Sequence, residues 1–226
     1  VGFTTFGVGV LTEDLNTGEI RESTKADVAQ IARLTDALTH MDILTAPVTA
    51  RDKPDSSADL HMLEAGLINC SKHYASDSED GARTKLLIEM AAAVAGGLDN
   101  LKERPIVSFG ICPTSPLQII ESSAEVIIEA ARHWLPINVL SMVMAGASSP
   151  ISISGALVMH NAEVLAGIIL AQLTNPGTPV IYGSSSTTLD MQQATAVVGV
   201  PEMAMISAGA AGLANYYGLP SYVAGG

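Results

Sequence analysis

The sequence predicts an α/β fold in which short strands alternate with helices around a parallel sheet. Short runs rich in Val, Ile and Thr are each followed by a longer stretch with helical spacing, and this pattern occurs six times along the 226 residues. Such alternation is typical of βα units. A hydrophobic content of 48% supplies enough apolar surface for a large core.

The chain opens with a different element. Residues Thr4 to Glu22 alternate in polarity and include Asn16-Thr17-Gly18, which predicts a β-hairpin before the first βα unit. The six predicted strands are Ile43 to Val48, Lys72 to Ala75, Ile106 to Ile111, Ile137 to Met144, Val180 to Tyr182 and Ser221 to Ala224. The six predicted helices are Lys25 to Thr39, Ala58 to Asn69, Asp80 to Ala95, Pro116 to Arg132, Gly155 to Leu173 and Pro201 to Tyr217.

Capping residues support these boundaries. Thr24 precedes the first helix and Asp27 follows three residues later, which is the spacing of a capping box. Pro201 and Glu202 place a proline and an acid in the first turn of the last helix.

The spacing of the strands, roughly 30 to 45 residues, suits a TIM (β/α)8 barrel, which needs about 250 residues for eight units. We therefore expect residues 1–226 to be the central part of a single barrel domain whose N- and C-terminal portions are missing. The alternative is an open doubly wound sheet. The glycine-rich turn of that fold is absent after the first strand, where Ala50-Arg51-Asp52 stands.

Composition argues against several functions. The net charge is -12 and basic residues do not cluster, so we expect neither a nucleic-acid partner nor an anionic membrane partner. Cys70 and Cys112 are the only cysteines, which favours a reducing cytoplasm. Apolar stretches such as Val164 to Leu173 are shorter than the roughly 20 residues that span a bilayer, so no transmembrane helix is expected.

In a barrel the loops after the strands form the active site, and here they are rich in small polar residues. No G-x-S-x-G elbow occurs, which argues against serine-hydrolase chemistry. His160 and Glu163 would share one helix face, and we favour a polar pair that holds a loop over half of a metal site. His61 and His73 lack partners at ligand spacing, so no protein-bound metal is predicted.

Several of these segments, taken together, resemble the trimethylamine:corrinoid methyltransferase family. The segments follow the family's order along the chain and are Ala46 to Asp52, Cys112 to Leu117, Pro136 to Met142, Gly146 to Pro150, His160 to Gly167, Tyr182 to Ser185 and Leu219 to Gly225. The resemblance implies a TIM barrel that transfers a methyl group from trimethylamine or a quaternary amine to Co(I). It also implies a separate corrinoid protein as partner. That partner supplies the cobalamin, so no cofactor is bound directly, and the intact protein is expected to be a homo-oligomer.

The chemistry of such a transfer suggests which residues bind the substrate. A cation-like amine favours aromatic or acidic neighbours, and the candidates are Tyr182, Asp77 and Glu163, with Asn161 and Ser184 as orienting partners.

In trimethylamine-specific members of the family, pyrrolysine follows the Val-Ala-Gly at the end of the sixth strand, a position that falls on or next to Gly226 here. If Gly226 occupies the position, the chain resembles members that act on quaternary amines such as glycine betaine. If the position is the next residue, an amber codon read as a stop would end the sequence there, and the substrate would be trimethylamine.

Two other hypotheses remain open from the residues alone. One is a barrel that binds amines or a corrinoid protein without turnover. The other is an unrelated lyase or isomerase that uses Asp52 or Asp77 as a base.

Overall fold

The computed structural model describes residues 1–7, 9–15 and 17–225. The chain forms two compact units. The first comprises Val1–Ser78 and Ala82–Ser108, and the second comprises Glu79–Gly81 and Phe109–Gly226.

The first unit opens with the predicted hairpin. Strands β1 (Leu11–Glu13) and β2 (Ile20–Glu22) pair antiparallel. Asn16, in the predicted turn, lies outside the described residues. Helix α1 (Lys25–Ala37) begins with the predicted capping box, in which the Asp27 carboxylate accepts the Thr24 N–H at 2.8 Å. The Arg21 guanidinium donates two hydrogen bonds of 2.8 Å to the same carboxylate and holds the pKa of Asp27 far below its usual range.

The first unit continues with two parallel strands, β3 (Ile43–Thr45) and β4 (His73–Asp77), in which Leu44 faces Tyr74. A short 3-10 turn (Asp55–Ser57) and helix α2 (Ala58–Asn69) connect them. Helix α3 spans Gly81–Ala95. Helix α4 (Leu98–Glu103) was not predicted, and it follows Gly96 and Gly97, whose φ angles of 80° and 132° end α3.

The second unit contains most of the parallel strands. Its strands are β5 (Val107–Ile111, of which the first two residues belong to the first unit), β6 (Ile137–Ser141), β7 (Met144–Ala145), β8 (Val180–Ser184), β9 (Thr187–Asp190), β10 (Thr195–Val197) and β11 (Ser221–Val223). Its helices are α5 (Glu121–Arg132), α6 (Ile153–Thr174) and α7 (Pro201–Tyr217). Strands β5, β6, β8 and β11 lie side by side and parallel in that order.

Side chains on one face of this sheet point toward the helices, and those on the other face point away from them. Gly167 of α6 lies so close to Val139 that a Cβ there would stand 2.8 Å from Val139 Cγ1. Val139 and its pairing partner Tyr182 therefore face the helices, because side chains alternate along a strand. Asn138 and Leu140 point to the opposite face.

The predicted βα alternation is confirmed, with six parallel strands of which two lie in the first unit and four in the second. A closed eight-stranded barrel is not seen among the described residues and stays a prediction for the longer protein. The small sheet of β7, β9 and β10 was not predicted, because strands of two to four residues carry too little periodicity to be recognised.

The predicted start of the fourth predicted helix, which corresponds to α5, was wrong. Helix α5 begins at Glu121 rather than at Pro116. Residues 114–118 form a tight turn instead, in which Thr114 and Gln118 exchange backbone hydrogen bonds of 2.7 and 3.0 Å. Leu117 within this turn has a φ of 58°, which is outside the helical region.

Helix α6 is longer and more continuously apolar than predicted from the sequence, where no transmembrane helix was expected. It runs for 22 residues and contains an 18-residue stretch with a mean hydropathy of 1.6. Among the described residues it is the one helix long and apolar enough to span a membrane on composition alone. Its contacts are those of a helix that packs on a sheet, since Gly167 lies on Val139 and the polar side chains of His160 and Glu163 are buried.

Candidate functional site

The carboxyl ends of β5, β6 and β8 lie at one edge of the second unit because the strands are parallel. Helix α6 runs beside this edge and carries His160, Asn161 and Glu163, the residues singled out in the sequence. Each of the three side chains contacts a strand or the loop that follows a strand.

Glu163 links the loop after β5 to the end of β6. Its carboxylate is buried and accepts three hydrogen bonds: from the Ser115 hydroxyl at 2.9 Å, the Leu117 N–H at 2.9 Å and the Ser141 hydroxyl at 2.7 Å. All three partners donate, so the carboxylate acts only as an acceptor. The sequence predicted a polar pair of His160 and Glu163 that holds a loop; Glu163 does bond the loop after β5, but His160 bonds Ser186 rather than Glu163.

His160 lies one turn earlier on α6 and is completely buried. Its Nδ1 is 3.3 Å from the Ser186 hydroxyl, which donates to the Ser141 carbonyl oxygen at 3.1 Å. The single hydroxyl hydrogen of Ser186 is thus used, so Nδ1 carries the proton and donates to Ser186. Nε2 is left as a buried acceptor without a partner among the described residues. Burial lowers the pKa of His160 to about 4, so the ring is neutral at pH 7.

Asn161 connects two tyrosines. The hydroxyl of the buried Tyr182 donates to Asn161 Oδ1 at 2.8 Å, and Asn161 Nδ2 donates to the Tyr217 hydroxyl at 3.0 Å. The two rings lie 6.2 Å apart, and His160 meets Tyr182 edge-on at 5.3 Å. Burial raises the pKa of Tyr182, so its hydroxyl stays protonated.

Ser184 ends β8 and is fully buried. Its carbonyl oxygen accepts the Ala224 N–H at 2.9 Å, and its hydroxyl is 3.4 Å from the Ser186 N–H. Ser184 therefore lies beside the segment that leads to Gly226. Gly226 itself lies outside the described residues.

Asp77 ends β4 in the first unit, and the structure describes it within that unit alone. Its side chain is exposed, and no hydrogen bond or ion pair of its carboxylate occurs among the described residues. Desolvation by the surrounding protein raises the pKa of Asp77 above its ordinary value. Asp52 differs, because its carboxylate accepts the Lys25 N–H at 2.7 Å at the start of α1, which lowers the pKa of Asp52.

The predicted substrate residues therefore occupy different settings. The structure brings Tyr182, Asn161, Glu163 and Ser184 together in the second unit, with their polar atoms bonded to protein groups. Their contact with an amine stays a prediction. The sequence missed Ser115, Ser141 and Ser186 as the partners of Glu163 and His160; the available signal was a serine at or just after each of three strands.

A metal ion needs a cluster of donor side chains, and a small ligand needs a cavity. Across residues 1–7, 9–15 and 17–225, no group of three or more His, Cys, Asp or Glu side chains is placed to hold a metal ion. A cavity of about 190 Å³ lies between the loop after β5 and α6, and Glu163 lines it together with Pro113, Leu117 and Ile119.

The alternating βα units, parallel strands and polar loops at the carboxyl ends define the class as an α/β protein of the partial TIM-barrel type. Residues 7–226 match the trimethylamine methyltransferase (MTTB) family, and the chain belongs to that family. The family assignment removes the hypothesis of an unrelated lyase.

Individual relatives agree with this assignment. The chain is 53% identical over its full length to a trimethylamine methyltransferase of Desulfitobacterium hafniense, of which it covers 46%. It is 45% identical over its full length to the trimethylamine methyltransferase of Methanosarcina thermophila, of which it covers 47%. A glycine betaine methyltransferase of Desulfitobacterium hafniense is 37% identical over 92% of the chain, which covers 44% of that protein. The chain thus spans about half the length of the curated relatives that it matches.

Proposed function

We propose that the intact protein transfers a methyl group from a methylated amine to the Co(I) centre of a corrinoid protein, and that its preferred donor is trimethylamine. The observation that supports this choice is the difference in similarity. The chain is 53% identical to a protein named as a trimethylamine methyltransferase and 37% identical to one named as a glycine betaine methyltransferase.

The reaction is a nucleophilic displacement at the methyl carbon. The electron pair of Co(I) forms the new cobalt–carbon bond, the carbon–nitrogen bond breaks, and its electron pair stays on nitrogen. Trimethylammonium would leave as dimethylamine. The protein contributes by binding the amine, directing one N-methyl group at the cobalt and excluding water.

Asp77 is the proposed contact for the positive nitrogen. It ends a parallel strand, which is where barrel enzymes place such groups, and its exposed carboxylate has no described partner. Tyr182, Asn161 and Ser184 of the second unit are also proposed as substrate-site residues, because Tyr182 and Ser184 lie in the carboxyl half of β8 and Asn161 is bonded to Tyr182.

Substitution of Asp77 tests this contact in the intact protein. Asp77→Asn should raise the KM for trimethylamine about tenfold, which corresponds to about 1.4 kcal/mol of lost attraction, and should leave kcat nearly unchanged. Asp99→Asn in α4 is the matched control, because it removes an exposed carboxylate elsewhere in the same unit. Equal KM values for Asp77→Asn and wild type would exclude Asp77 as the cation contact.

The residue directly after Gly226 in the intact protein is proposed to present the group that activates the amine, because Gly226 itself has no side chain. Mass spectrometry of the peptide that contains Ala224 and Gly226 in the intact protein identifies that residue. Pyrrolysine there supports trimethylamine as the donor, and an ordinary residue supports a quaternary amine.

A methyl-transfer assay tests the proposed activity. The intact protein, a Co(I) corrinoid protein and trimethylamine should produce methyl-Co(III), followed by its absorbance, faster than with glycine betaine or tetramethylammonium. Formation of methyl-Co(III) from none of the donors, with calorimetry showing that amines still bind, would support the non-catalytic binding protein instead. The corrinoid partner, a homo-oligomeric state and a cytoplasmic location are part of the same proposal.

A further inference from the structure

Helix α6 connects three neighbouring segments at the carboxyl edge of the second unit. Glu163 bonds the loop after β5 through Ser115 and Leu117. It also bonds the end of β6 through the Ser141 hydroxyl. The Ser141 carbonyl oxygen in turn accepts the Ser185 N–H at 2.9 Å and the Ser186 hydroxyl at 3.1 Å, both in the loop after β8.

The loop after β5 depends on this carboxylate. Leu117 has a φ of 58° and its N–H points at Glu163 from 2.9 Å, so the carboxylate stabilises a backbone conformation that L-residues seldom adopt. The only other backbone bonds described within residues 114–118 join Thr114 and Gln118. Loss of Glu163 would therefore release the middle of the loop.

From these contacts we infer that Glu163 is a positioning residue of the transfer site: its carboxylate holds the loop after β5 against the end of β6, and its negative charge is not required to bind the amine. The inference rests on the proposed function and goes beyond it, because it separates the geometry that Glu163 maintains from the charge that it carries. It also means that Glu163 is no longer proposed to contact the amine directly.

Glutamine can separate the two roles. In Glu163→Gln the amide oxygen can accept the Leu117 N–H, and the amide NH2 can donate to both serine hydroxyls, which are able to accept as well as donate. All three links survive while the charge is removed. Glu163→Ala removes the links and the charge together.

The expected results for the intact protein follow from this difference. Glu163→Gln should keep kcat and the amine KM within about threefold of wild type, because the hydrogen bonds lose only their charge assistance. Glu163→Ala should lower kcat by about 10- to 100-fold with a smaller change in KM, because displacement of a loop by about 1 Å can cost that much. Glu121→Ala in the first turn of α5 is the matched control and should behave as wild type, since Glu121 is exposed.

Hydrogen exchange of the Leu117 amide gives a readout that does not need activity. It should be slow in wild type and in Glu163→Gln, and at least about tenfold faster in Glu163→Ala. In Ser141→Ala the Leu117 N–H keeps its bond to Glu163 but the carboxylate loses its anchor on β6, so a smaller increase is expected. The amides of α6 should be unchanged in all variants. Ser141→Ala keeps Glu163 itself and serves if Glu163→Ala does not fold.

Two results would overturn the inference. One is a Glu163→Gln variant that raises the amine KM as much as Glu163→Ala does, which would assign the charge to substrate binding. The other is wild-type protection of the Leu117 amide in Glu163→Ala. If no variant and no wild-type protein transfers methyl groups, the proposed function fails, and the exchange rates still decide whether Glu163 positions the loop.

Discussion

Tyr182→Phe tests whether the Tyr182 hydroxyl is a structural link in the second unit. The substitution removes one oxygen and keeps the ring, which has no exposed surface. The hydroxyl donates to Asn161 Oδ1 at 2.8 Å, so the variant leaves that acceptor without its donor. An unsatisfied acceptor in such a position costs about 1 to 3 kcal/mol, which is the expected loss of stability.

Tyr217→Phe is the matched comparison. Tyr217 accepts from the other end of the same amide, Asn161 Nδ2, at 3.0 Å, but its side chain is 38% exposed. Water can replace the lost hydroxyl there, so the expected cost is about 0.5 kcal/mol. The two substitutions therefore remove the same chemical group from one network at sites that differ in access to water.

The assay is urea denaturation of the intact protein, followed by circular dichroism, with the midpoint and slope fitted for wild type, Tyr182→Phe, Tyr217→Phe and the double variant. The slopes should agree, and the two single effects should not add, because both bonds share Asn161. A Tyr182→Phe protein within about 0.3 kcal/mol of wild type, or less destabilised than Tyr217→Phe, would refute the assignment. A large rise in the amine KM of Tyr182→Phe would instead place its hydroxyl at the substrate.

Three further predictions concern packing and pH. Gly66→Ala in α2 should destabilise the protein by about 1 to 3 kcal/mol despite better helix propensity, because the new Cβ would lie 2.6 Å from Tyr74 Cδ2. Gly212→Ala in α7 meets open space and should stabilise the protein by about 0.4 to 1 kcal/mol. Denaturation midpoints of the two variants that move in the same direction would contradict this. The depressed pKa of His160, about 4 against an ordinary 6.5, means that the unfolded chain binds the proton first, so stability should fall as pH drops from about 6.5 to 4, and His160→Gln should flatten that part of the curve of Tm against pH. The raised pKa of Asp77 means that ionisation of its carboxyl disfavours the folded state. Asp77→Asn should therefore be at least as stable as wild type at pH 7 and should lose this advantage in acid. A lower Tm of Asp77→Asn than of wild type at pH 7 would show instead that the carboxylate is stabilising.

The sequence predicted the order of the elements well because its signals are local. The capping box at Thr24 and the boundaries of α2 and α7 are confirmed. The start of α5 could not be predicted, because the backbone of Ser115 to Leu117 is held by Glu163, which lies 46 residues beyond Leu117 in the chain. Propensity alone favours a helix after Pro116, and a distant carboxylate overrides it.

The candidate site likewise combines residues that the sequence identified with bonding partners that it did not identify. The residue types that the proposed transfer calls for were recognisable in the sequence as an acid at a strand end, Asp77, an aromatic ring, Tyr182, and an amide, Asn161. Their partners were not. Tyr182 could be read as a ring facing a cation, but the strand alternation that points Val139 toward α6 points Tyr182 there too, where its hydroxyl meets Asn161.

By itself, the sequence determined the alternation of strands and helices, the hairpin before them and the residue types at the strand ends, because periodicity, capping and turn chemistry act over a few residues. Only the tertiary structure decided which polar side chains are used within the protein and which stay available. Ser141 and Glu163 are 22 residues apart and become partners at 2.7 Å because β6 and α6 pack together. The carboxylate of Asp77, by contrast, has no described donor, although its residue type alone does not distinguish it from Asp27, which is bonded on both oxygens.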